Sequence, residues 1–218
     1  MNDLTVIYYT NNREKPEFAQ RIRESLLESI DGLPLISVSQ KPLDFGENIC
    51  VGDVGSSTQN TFRQIQIGAM AATTKFIATA EADCLYPSEH FKFRPPTDDR
   101  IYCARPMWCL MARRGMTCVY SPKKMGCLGA SIMNRENAII AFSKQLDALG
   151  QWGSVDERDL RLVNIFNFMA RGYFSLEIPV VTFKTECGIH KSVPGYRGKY
   201  REVLHWGPAE NLKNRMMQ

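Results

Sequence analysis

The stretch KFIATAEAD, residues 75–83, decides how this chain folds. Its first six residues form a short, largely apolar run, which predicts a buried strand. Glu81 and Asp83 follow at the carboxyl end of this strand, and Pro87 then restarts a helical turn. Alternate residues of a strand point to the same side, so both carboxylates are expected on one side. Ligands of open α/β folds bind at this end of the strands, and the stretch therefore predicts a binding site.

The carboxylate pair has two interpretations when its residues are considered alone. Two carboxylates at the end of a buried strand are costly to desolvate unless they bind something, and Mg²⁺ or Mn²⁺ bridging a diphosphate would suit them. The alternative is a solvated strand end at which one carboxylate caps the next helix. Pro87 and Ser88 are compatible with that alternative.

Strands and helices alternate before this stretch. Leu4 to Tyr9 predicts a strand, and Pro16 opens a helix whose apolar residues recur every four positions. Leu35 to Val38 predicts a second strand, and a second helix is expected from Thr58 to Ala72. The order strand, helix, strand indicates a parallel sheet with crossover helices. We therefore predict an α/β fold with a Rossmann-like, mostly parallel central sheet and flanking helices.

The second half of the chain adds a β-hairpin to this plan. Further elements follow the hairpin, and the tail is rich in glycine and basic residues. The expected elements are hairpin strands at 101–111 and 117–120 with a turn at 112–115, helices from about Asn134 and from Ser154 to Gly172, and a last strand at 176–183.

Composition restricts the class of protein. The 218 residues are 44% hydrophobic and 23% charged, which fits one globular domain, assigned to 1–207 with a C-terminal tail at 208–218. The net charge of +4 favours anionic ligands, and seven cysteines without a CxxC pair disfavour a disulfide framework or a zinc knuckle. No apolar run approaches the length of a membrane span and no signal peptide is evident, so a cytoplasmic protein without a membrane partner is expected.

Several common enzyme motifs are missing from the sequence. The absence of GxxxxGK[ST], of GxGxxG after the first strand and of GxSxG argues against P-loop kinases, dinucleotide dehydrogenases and serine hydrolases. The segment TNNREKP, residues 10–16, contains no glycine, whereas nucleotidyltransferases of a related fold usually carry a Gly-rich basic loop at this place.

The order of several short motifs resembles that of GT-A glycosyltransferases. These motifs are TNN at 10–12, FIATAEADCLYP at 76–87, GCLGAS at 126–131 and TECGIH at 185–190. The resemblance covers roughly residues 4 to 191 and is compatible with a bacteriophage-type enzyme. It implies a GT-A fold, a nucleoside-diphosphate sugar as donor with a UDP-sugar favoured, and a bound Mn²⁺ or Mg²⁺.

The same resemblance assigns candidate ligands to this metal and to the donor. Asp83, Glu81 and His190 would hold the metal, with Glu81 standing where the family's Asp-x-Asp motif has its first aspartate. The implied donor-binding residues would contact the base, ribose or phosphates, although each is also compatible with an ordinary surface position; they are Thr10, Asn11, Asp53, Arg63 and Lys191.

Asp156 and Glu157 match the place of the catalytic base in inverting members of the family. Ser154 and Glu157 also form a capping box, so Glu157 has a structural explanation and Asp156 is favoured as the base. A retaining enzyme would not need this base, and the sequence leaves the stereochemistry open.

The acceptor has two readings from the sequence. It is either a hydroxyl of a sugar or glycan, or a hydroxymethylated pyrimidine in DNA, whose phosphates a basic cluster would contact. The cluster, which could also be a solvated turn, consists of Arg113, Arg114, Lys123 and Lys124. A non-catalytic nucleotide or nucleic-acid binding module of the same fold is the remaining alternative. It would be favoured if Asp83 were buried against an arginine with no open cavity nearby.

Overall fold

The structure is a computed structural model that describes residues 3–113, 117–123, 127–149, 164–188 and 198–218. Helices and strands alternate through most of the first half, and strands dominate the second. The helices are α1 (Pro16–Ile30), α2 (Thr58–Ala71), α3 (Arg135–Leu149) and α4 (Ala209–Met217). The strands are β1 (Leu4–Thr10), β2 (Leu35–Ser39), β3 (Glu47–Cys50), β4 (Phe76–Glu81), β5 (Cys84–Leu85), β6 (Arg100–Met111), β7 (Tyr120–Pro122), β8 (Ser131–Asn134), β9 (Ala170–Lys184), β10 (Glu202–Val203) and β11 (Gly207–Pro208).

Nine of the strands in the described part of the chain form one mixed sheet. Its order is β3-β2-β1-β4-β8-β6-β9-β5, and β7 pairs with β6. The strands β3, β2, β1 and β4 are mutually parallel, β8 is antiparallel to both of its neighbours, and β6 and β9 are parallel to each other. The predicted α/β class with a central sheet and flanking helices is therefore confirmed. The parallel order places the carboxyl ends of β1, β2 and β4 at one edge of the sheet.

Two layers of apolar side chains cover the faces of this sheet. Alternate residues of β1 enter opposite layers, since Val6 and Tyr8 pack in one cluster and Ile7 and Tyr9 in the other. Helices α2 and α3 contribute apolar residues to the second cluster, among them Phe62. The strand β1 is thus buried on both faces, as the apolar run in the sequence predicts.

The predicted hairpin is present, although one of its strands also has a second role. Leu110 pairs with Tyr120 and Trp108 with Pro122 in antiparallel register. The same strand β6 also pairs with β8 and β9, so it is an interior strand of the main sheet.

The helix expected from Ser154 to Gly172 is wrong in its described C-terminal part. Ile165–Asn167 form a short 3-10 helix, and β9 begins at Ala170. Burial alternates in this strand, with Gly172 and Phe174 buried and Tyr173 exposed. This period of two belongs to a strand, and it outweighs the helical spacing of the preceding apolar residues.

The segment that we assign to a C-terminal tail contains helix α4. Leu212 and Met216 of this helix are buried in a cluster with Phe18 and Ile22 of α1. The end of the chain is therefore packed on the first helix. None of the described helices combines the length and the apolar character that crossing a lipid bilayer needs.

His90 is completely buried in an aromatic cluster next to β4. Its ring lies 5.3 Å from the Tyr86 ring, 4.8 Å from that of Phe91 and 5.4 Å from that of Phe174, as centroid distances. Neither ring nitrogen has a hydrogen-bond partner among the described residues. Burial lowers the pKa of His90 from 6.5 to about 3, so the folded protein holds this histidine in its neutral form.

We expect this histidine to make the protein sensitive to acid. The unfolded chain binds the proton near pH 6.5, whereas the folded chain resists it, so stability is complete above pH 6.5 and falls towards pH 3. The loss is about 1.4 kcal/mol per pH unit. Urea unfolding of the wild type and of His90→Phe between pH 7 and pH 4.5 measures it. The loss is the difference between the slopes of the unfolding free energy against pH. The exposed His205→Asn variant is the control, and equal slopes for wild type and His90→Phe would refute the prediction.

Candidate active site

A cavity of about 430 Å³ opens at the carboxyl ends of β1 and β4. Residues from β1 and α2, from the segments that follow β1 and β2, and from the loop before α2 build one part of its wall. Residues that follow β7 or belong to β9 build another part. The polar lining residues used below are Thr10, Asn11, Glu14, Gln40, Ser56, Gln64, Glu81, Asp83, Lys123, Arg171 and Lys184.

Glu81 and Asp83 lie together in this cavity with Cys84. One ligand atom from each of the three side chains lies within 4.8 Å of the others. Burial raises the pKa of the Cys84 thiol well above its usual range, so the thiol stays protonated. It donates to Asp83 Oδ1 at 3.3 Å and to Glu81 Oε2 at 3.7 Å. The cysteine therefore acts as a donor to the two carboxylates, whose remaining oxygen atoms could hold a cation.

Hydrogen bonds from neighbouring elements hold Glu81 in place. Tyr9 at the end of β1 donates its hydroxyl proton to Glu81 Oε1 at 2.9 Å. The backbone N–H of Glu81 donates to the Tyr86 hydroxyl oxygen at 2.8 Å, and that hydroxyl in turn donates to the carbonyl of Gly129. The Glu81 side chain is thus oriented before any ligand binds.

Asp83 carries an unfavourable charge in this position. Burial and repulsion from Glu81 raise its pKa to about 7, although Lys184 partly offsets them. Thr182 Oγ1 lies 3.5 Å from Asp83 Oδ1. Two carboxylates that repel each other and offer only oxygen atoms fit a hard divalent cation such as Mg²⁺ or Mn²⁺.

Gly129, in the GCLGAS segment, packs directly against the Glu81 side chain. A Cβ atom at this position would overlap Glu81 Oε2 and would lie 2.8 Å from Glu81 Cγ. The glycine therefore gives the carboxylate the space that it occupies. The sequence motif did not reveal this role, because the contact joins residues that are far apart in the chain.

Gly129→Ala is expected to displace the Glu81 carboxylate and to weaken Mn²⁺ binding about 10- to 100-fold, the usual effect of disturbing the support of a ligand. Isothermal titration with Mn²⁺ measures the loss. Glu81→Asp shortens the side chain, so adding it to Gly129→Ala should restore part of the thermal stability lost in the single variant. A single variant with the Mn²⁺ affinity and stability of the wild type would show that Gly129 does not position Glu81.

Two of the predicted donor-binding residues lie in the cavity wall. Thr10 and Asn11 both line the cavity, and the Asn11 side-chain amide donates to Ser56 Oγ at 2.8 Å. Asp53 is exposed and Arg63 is partly buried, and neither is among the residues that line the cavity.

Two buried amides in the same part of the wall were not predicted. Gln64 donates to the carbonyls of Thr10 and Val38 at 2.9 Å each, and Gln40 donates to the carbonyl of Gly55 at 2.6 Å. Gln64 lies between the buried residues Phe62 and Ile65 of α2, so the sequence could have revealed it as a polar residue on the apolar face of this helix. Gln40 follows β2 and has no comparable signal.

The basic cluster is divided by the structure. Arg113 donates from Nε to the carbonyl of Thr185 at 2.9 Å, while Lys123 lines the cavity. Burial disfavours the ammonium form of Lys123, but Cys127 and Glu81 together outweigh this effect, so its pKa lies above the usual value. Other predicted residues lie outside the described part of the chain, and their assignments stay predictions; they are Arg114, Lys124, Asp156, Glu157, His190 and Lys191.

Three further charged residues in the cavity were missed. Glu14 follows β1 and accepts a hydrogen bond from Thr185 Oγ1 at 2.6 Å, and burial raises its pKa. Arg171 and Lys184 stand at opposite ends of β9. Their positions depend on the route of β9, whose first part we expected to be helical.

The fold is GT-A-like, as comparison with solved structures shows. The glycosyltransferase GlyE of Streptococcus pneumoniae superposes with a TM-score of 0.50 at 14% identity, over 79% of this chain and 45% of that chain. This chain thus spans slightly less than half the length of GlyE. Likeness at such identity establishes the fold alone.

Two other structures show the range of activities among the neighbours. A glycosyltransferase involved in the glycosylation of the major capsid of PBCV-1 has a TM-score of 0.45 at 12% identity, over 87% of this chain and 95% of that one. The inositol-1-phosphate CTP transferase from T. maritima has a TM-score of 0.49 at 11% identity, over 86% and 91%. No family model matches the chain, and no curated protein matches it. The activity must therefore be argued from the site.

Proposed function

We propose that the protein is a metal-dependent glycosyltransferase that moves a sugar from a nucleoside diphosphate to an acceptor hydroxyl. The observation that carries this proposal is the pair Glu81 and Asp83, which faces a cavity at the carboxyl ends of parallel strands. In the reaction the bond between the anomeric carbon and the diphosphate oxygen breaks. A bond from the acceptor oxygen to that carbon forms, and the acceptor loses its proton to a base.

Asp83 and Glu81 would hold Mn²⁺ or Mg²⁺, with His190 as a further ligand proposed from the sequence. When bound, the cation neutralises charge on the departing diphosphate as a Lewis acid. Tyr9 fixes one oxygen of Glu81, so the ligand loses little conformational freedom on binding. The two oxygen ligands and the raised pKa of Asp83 support this assignment.

The nucleoside of the donor would bind at the wall built by β1, α2 and the segments that follow β1 and β2. Thr10, Asn11, Gln40 and Gln64 offer neutral hydroxyl and amide groups there, which suit the hydrogen-bonding edges of a base and the hydroxyls of a ribose. We propose a UDP-sugar as donor. Asp53 and Arg63 stay candidates only for contacts beyond this cavity.

The acceptor is proposed to be a hydroxyl of a sugar or glycan. The alternative is a hydroxymethylated pyrimidine in DNA, and its basis is the basic cluster. Lys123 faces the cavity and Arg113 is bonded to Thr185, so the alternative depends mainly on Arg114 and Lys124. Duplex binding that weakens steeply with salt would favour DNA.

A non-catalytic binding module of the same fold receives less support. That alternative required Asp83 to be buried against an arginine without an open cavity. Asp83 instead lines the cavity, and the neighbouring cation that lowers its pKa is Lys184.

The experiment that tests the proposal measures nucleotide release. The protein is incubated with UDP-sugars or GDP-sugars and Mn²⁺, with candidate sugar acceptors, and the free nucleoside diphosphate is quantified. We expect release from a UDP-sugar that stops when EDTA is added. Release of pyrophosphate from a nucleoside triphosphate and a sugar phosphate, with no turnover of nucleotide sugars, would instead identify a nucleotidyltransferase.

A further inference from the structure

Two cations line the part of the cavity wall next to β7 and to the start of β9, and Lys184 lines the cavity at the other end of β9. Lys123 directly follows β7, and its backbone N–H donates to the carbonyl of Met107 at 2.9 Å. Arg171 is the second residue of β9, and its guanidinium carbon lies 3.6 Å from the centroid of the Phe166 ring. Backbone pairing and stacking therefore hold both side chains at the cavity.

A third cation, Arg105, lies on β6, the strand that pairs with β9. The pKa of Cys103 is raised to about 12 by burial and by Cys127, and Arg171, Lys123 and Arg105 act on it in the opposite direction. All three cations are thus within electrostatic reach of one buried thiol. The Arg105 guanidinium carbon lies 3.4 Å from the centroid of the Tyr173 ring, and its Nε is buried without a hydrogen-bond partner among the described residues.

Within the described residues, Lys123 has no close carboxylate partner. The ion pairs within 4.0 Å found in the described part of the chain do not include Lys123. The carboxylate that raises the pKa of Lys123 is Glu81, on the metal side of the cavity. Cations that line a cavity attract anionic ligands to it.

We propose that Lys123 and Arg171 bind a phosphate group of a substrate, with Arg105 adding positive charge behind them. A guanidinium can hold two phosphate oxygens at once, and an ammonium serves as a point charge beside it. This phosphate pole, Lys123 with Arg171, is distinct from the carboxylate pair. The identity of the substrate rests on the proposed function, since the phosphate belongs either to the diphosphate of the donor or to a phosphorylated acceptor.

The pole is tested with inorganic phosphate in EDTA. EDTA removes divalent cations, so phosphate cannot bind to the two carboxylates through a metal, and any binding in the cavity must depend on the cations. Calorimetric titration should show that Lys123→Met and Arg171→Met each bind phosphate about tenfold or more weakly than the wild type. Lys123→Arg keeps the charge and should retain most of the affinity. Lys144→Met, which removes an exposed cation on α3, is the matched control and should bind as the wild type does.

The inference is overturned if the wild type binds no phosphate in EDTA, or if both pole variants bind it as tightly as Lys144→Met does. Thermal unfolding identifies a variant that does not fold. If Lys123→Met fails to fold, the phosphate affinity of Lys123→Arg tests the proposal in its place. Loss of phosphate binding in this folded variant would also contradict a role based on charge.

A second titration distinguishes the two sources of the phosphate. If the donor supplies it, Lys123→Met weakens UDP binding in Mn²⁺ by a factor similar to its effect on phosphate. If the acceptor supplies it, UDP affinity is unchanged, and glucose 6-phosphate displaces inorganic phosphate where glucose does not. A wild type that binds phosphate but no nucleotide in Mn²⁺ would end the proposed function and leave the phosphate pole in place.

Discussion

Asp83→Asn is expected to lose Mn²⁺-dependent binding of UDP while keeping its fold. Asparagine preserves the shape of the side chain but removes the negative charge that a divalent cation requires. Disturbing groups that only support a metal ligand costs about 10- to 100-fold in affinity, so losing a ligand should cost more than about 100-fold. The expected loss is therefore the largest among the binding effects proposed for this site.

The stability of the same variant should not fall. Burial and Glu81 raise the pKa of Asp83 to about 7, which means that its ionised form is disfavoured in the folded chain. The wild type therefore loses stability as the pH rises from the usual aspartate value of 3.8 to about 7, whereas a neutral asparagine avoids that loss. At pH 8 we expect Asp83→Asn to be as stable as the wild type or more stable. A gain of stability with a loss of binding is typical of a functional residue.

Calorimetric titration with UDP in Mn²⁺, together with urea unfolding, measures both effects. Asp147→Asn is the control, since Asp147 is an exposed carboxylate on α3. UDP affinity in Mn²⁺ that equals that of the control would remove Asp83 from the metal site. An unfolded variant would instead show that Asp83 is a structural residue.

Asp156→Asn is expected to lower turnover by roughly 10² to 10⁴, with donor binding preserved, if the enzyme inverts the anomeric centre. Asp156 is proposed as the base that takes the proton of the acceptor hydroxyl, and such a base acts only in the chemical step. The assignment rests on the match to the place of the catalytic base in inverting enzymes, and Asp156 lies outside the described residues. Initial rates at saturating donor measure the effect.

Glu157→Gln separates this role from helix capping. A lost cap costs about 1 kcal/mol of stability and little rate, so this variant should unfold earlier and turn over almost normally. The opposite pattern would make Glu157 the base. If both variants turn over normally, the enzyme has no base at these positions, and a retaining reaction becomes the better account.

The sequence predicted the elements that carry their own periodicity. Strands β1, β2 and β4 and helices α1, α2 and α3 were expected within a few residues of their observed bounds. The carboxylates Glu81 and Asp83 were found for the same reason, because they directly follow an apolar strand. Local pattern and final structure agree where burial dictates the pattern.

The elements that the sequence missed are short or depend on distant partners. Strands β3 and β8 have four residues each, and they are defined by pairing with β2 and with β4 and β6. The sequence analysis placed Lys123 in a basic surface cluster. Several distant strands form the cavity that it lines, and the local sequence around the hairpin does not show that they come together there. Gly129 was quoted as part of a motif, but its contact with Glu81 spans 48 positions of the chain.

The central claim is that Glu81 and Asp83 bind a divalent cation in the presence of a nucleotide. Electron paramagnetic resonance measures it directly, because the signal of free Mn²⁺ decreases as the ion binds. With UDP present, we predict that the wild type binds a single Mn²⁺ per chain at high affinity and that Asp83→Asn leaves the ion free. Equal Mn²⁺ binding by the two proteins, or none by the wild type, would contradict the account.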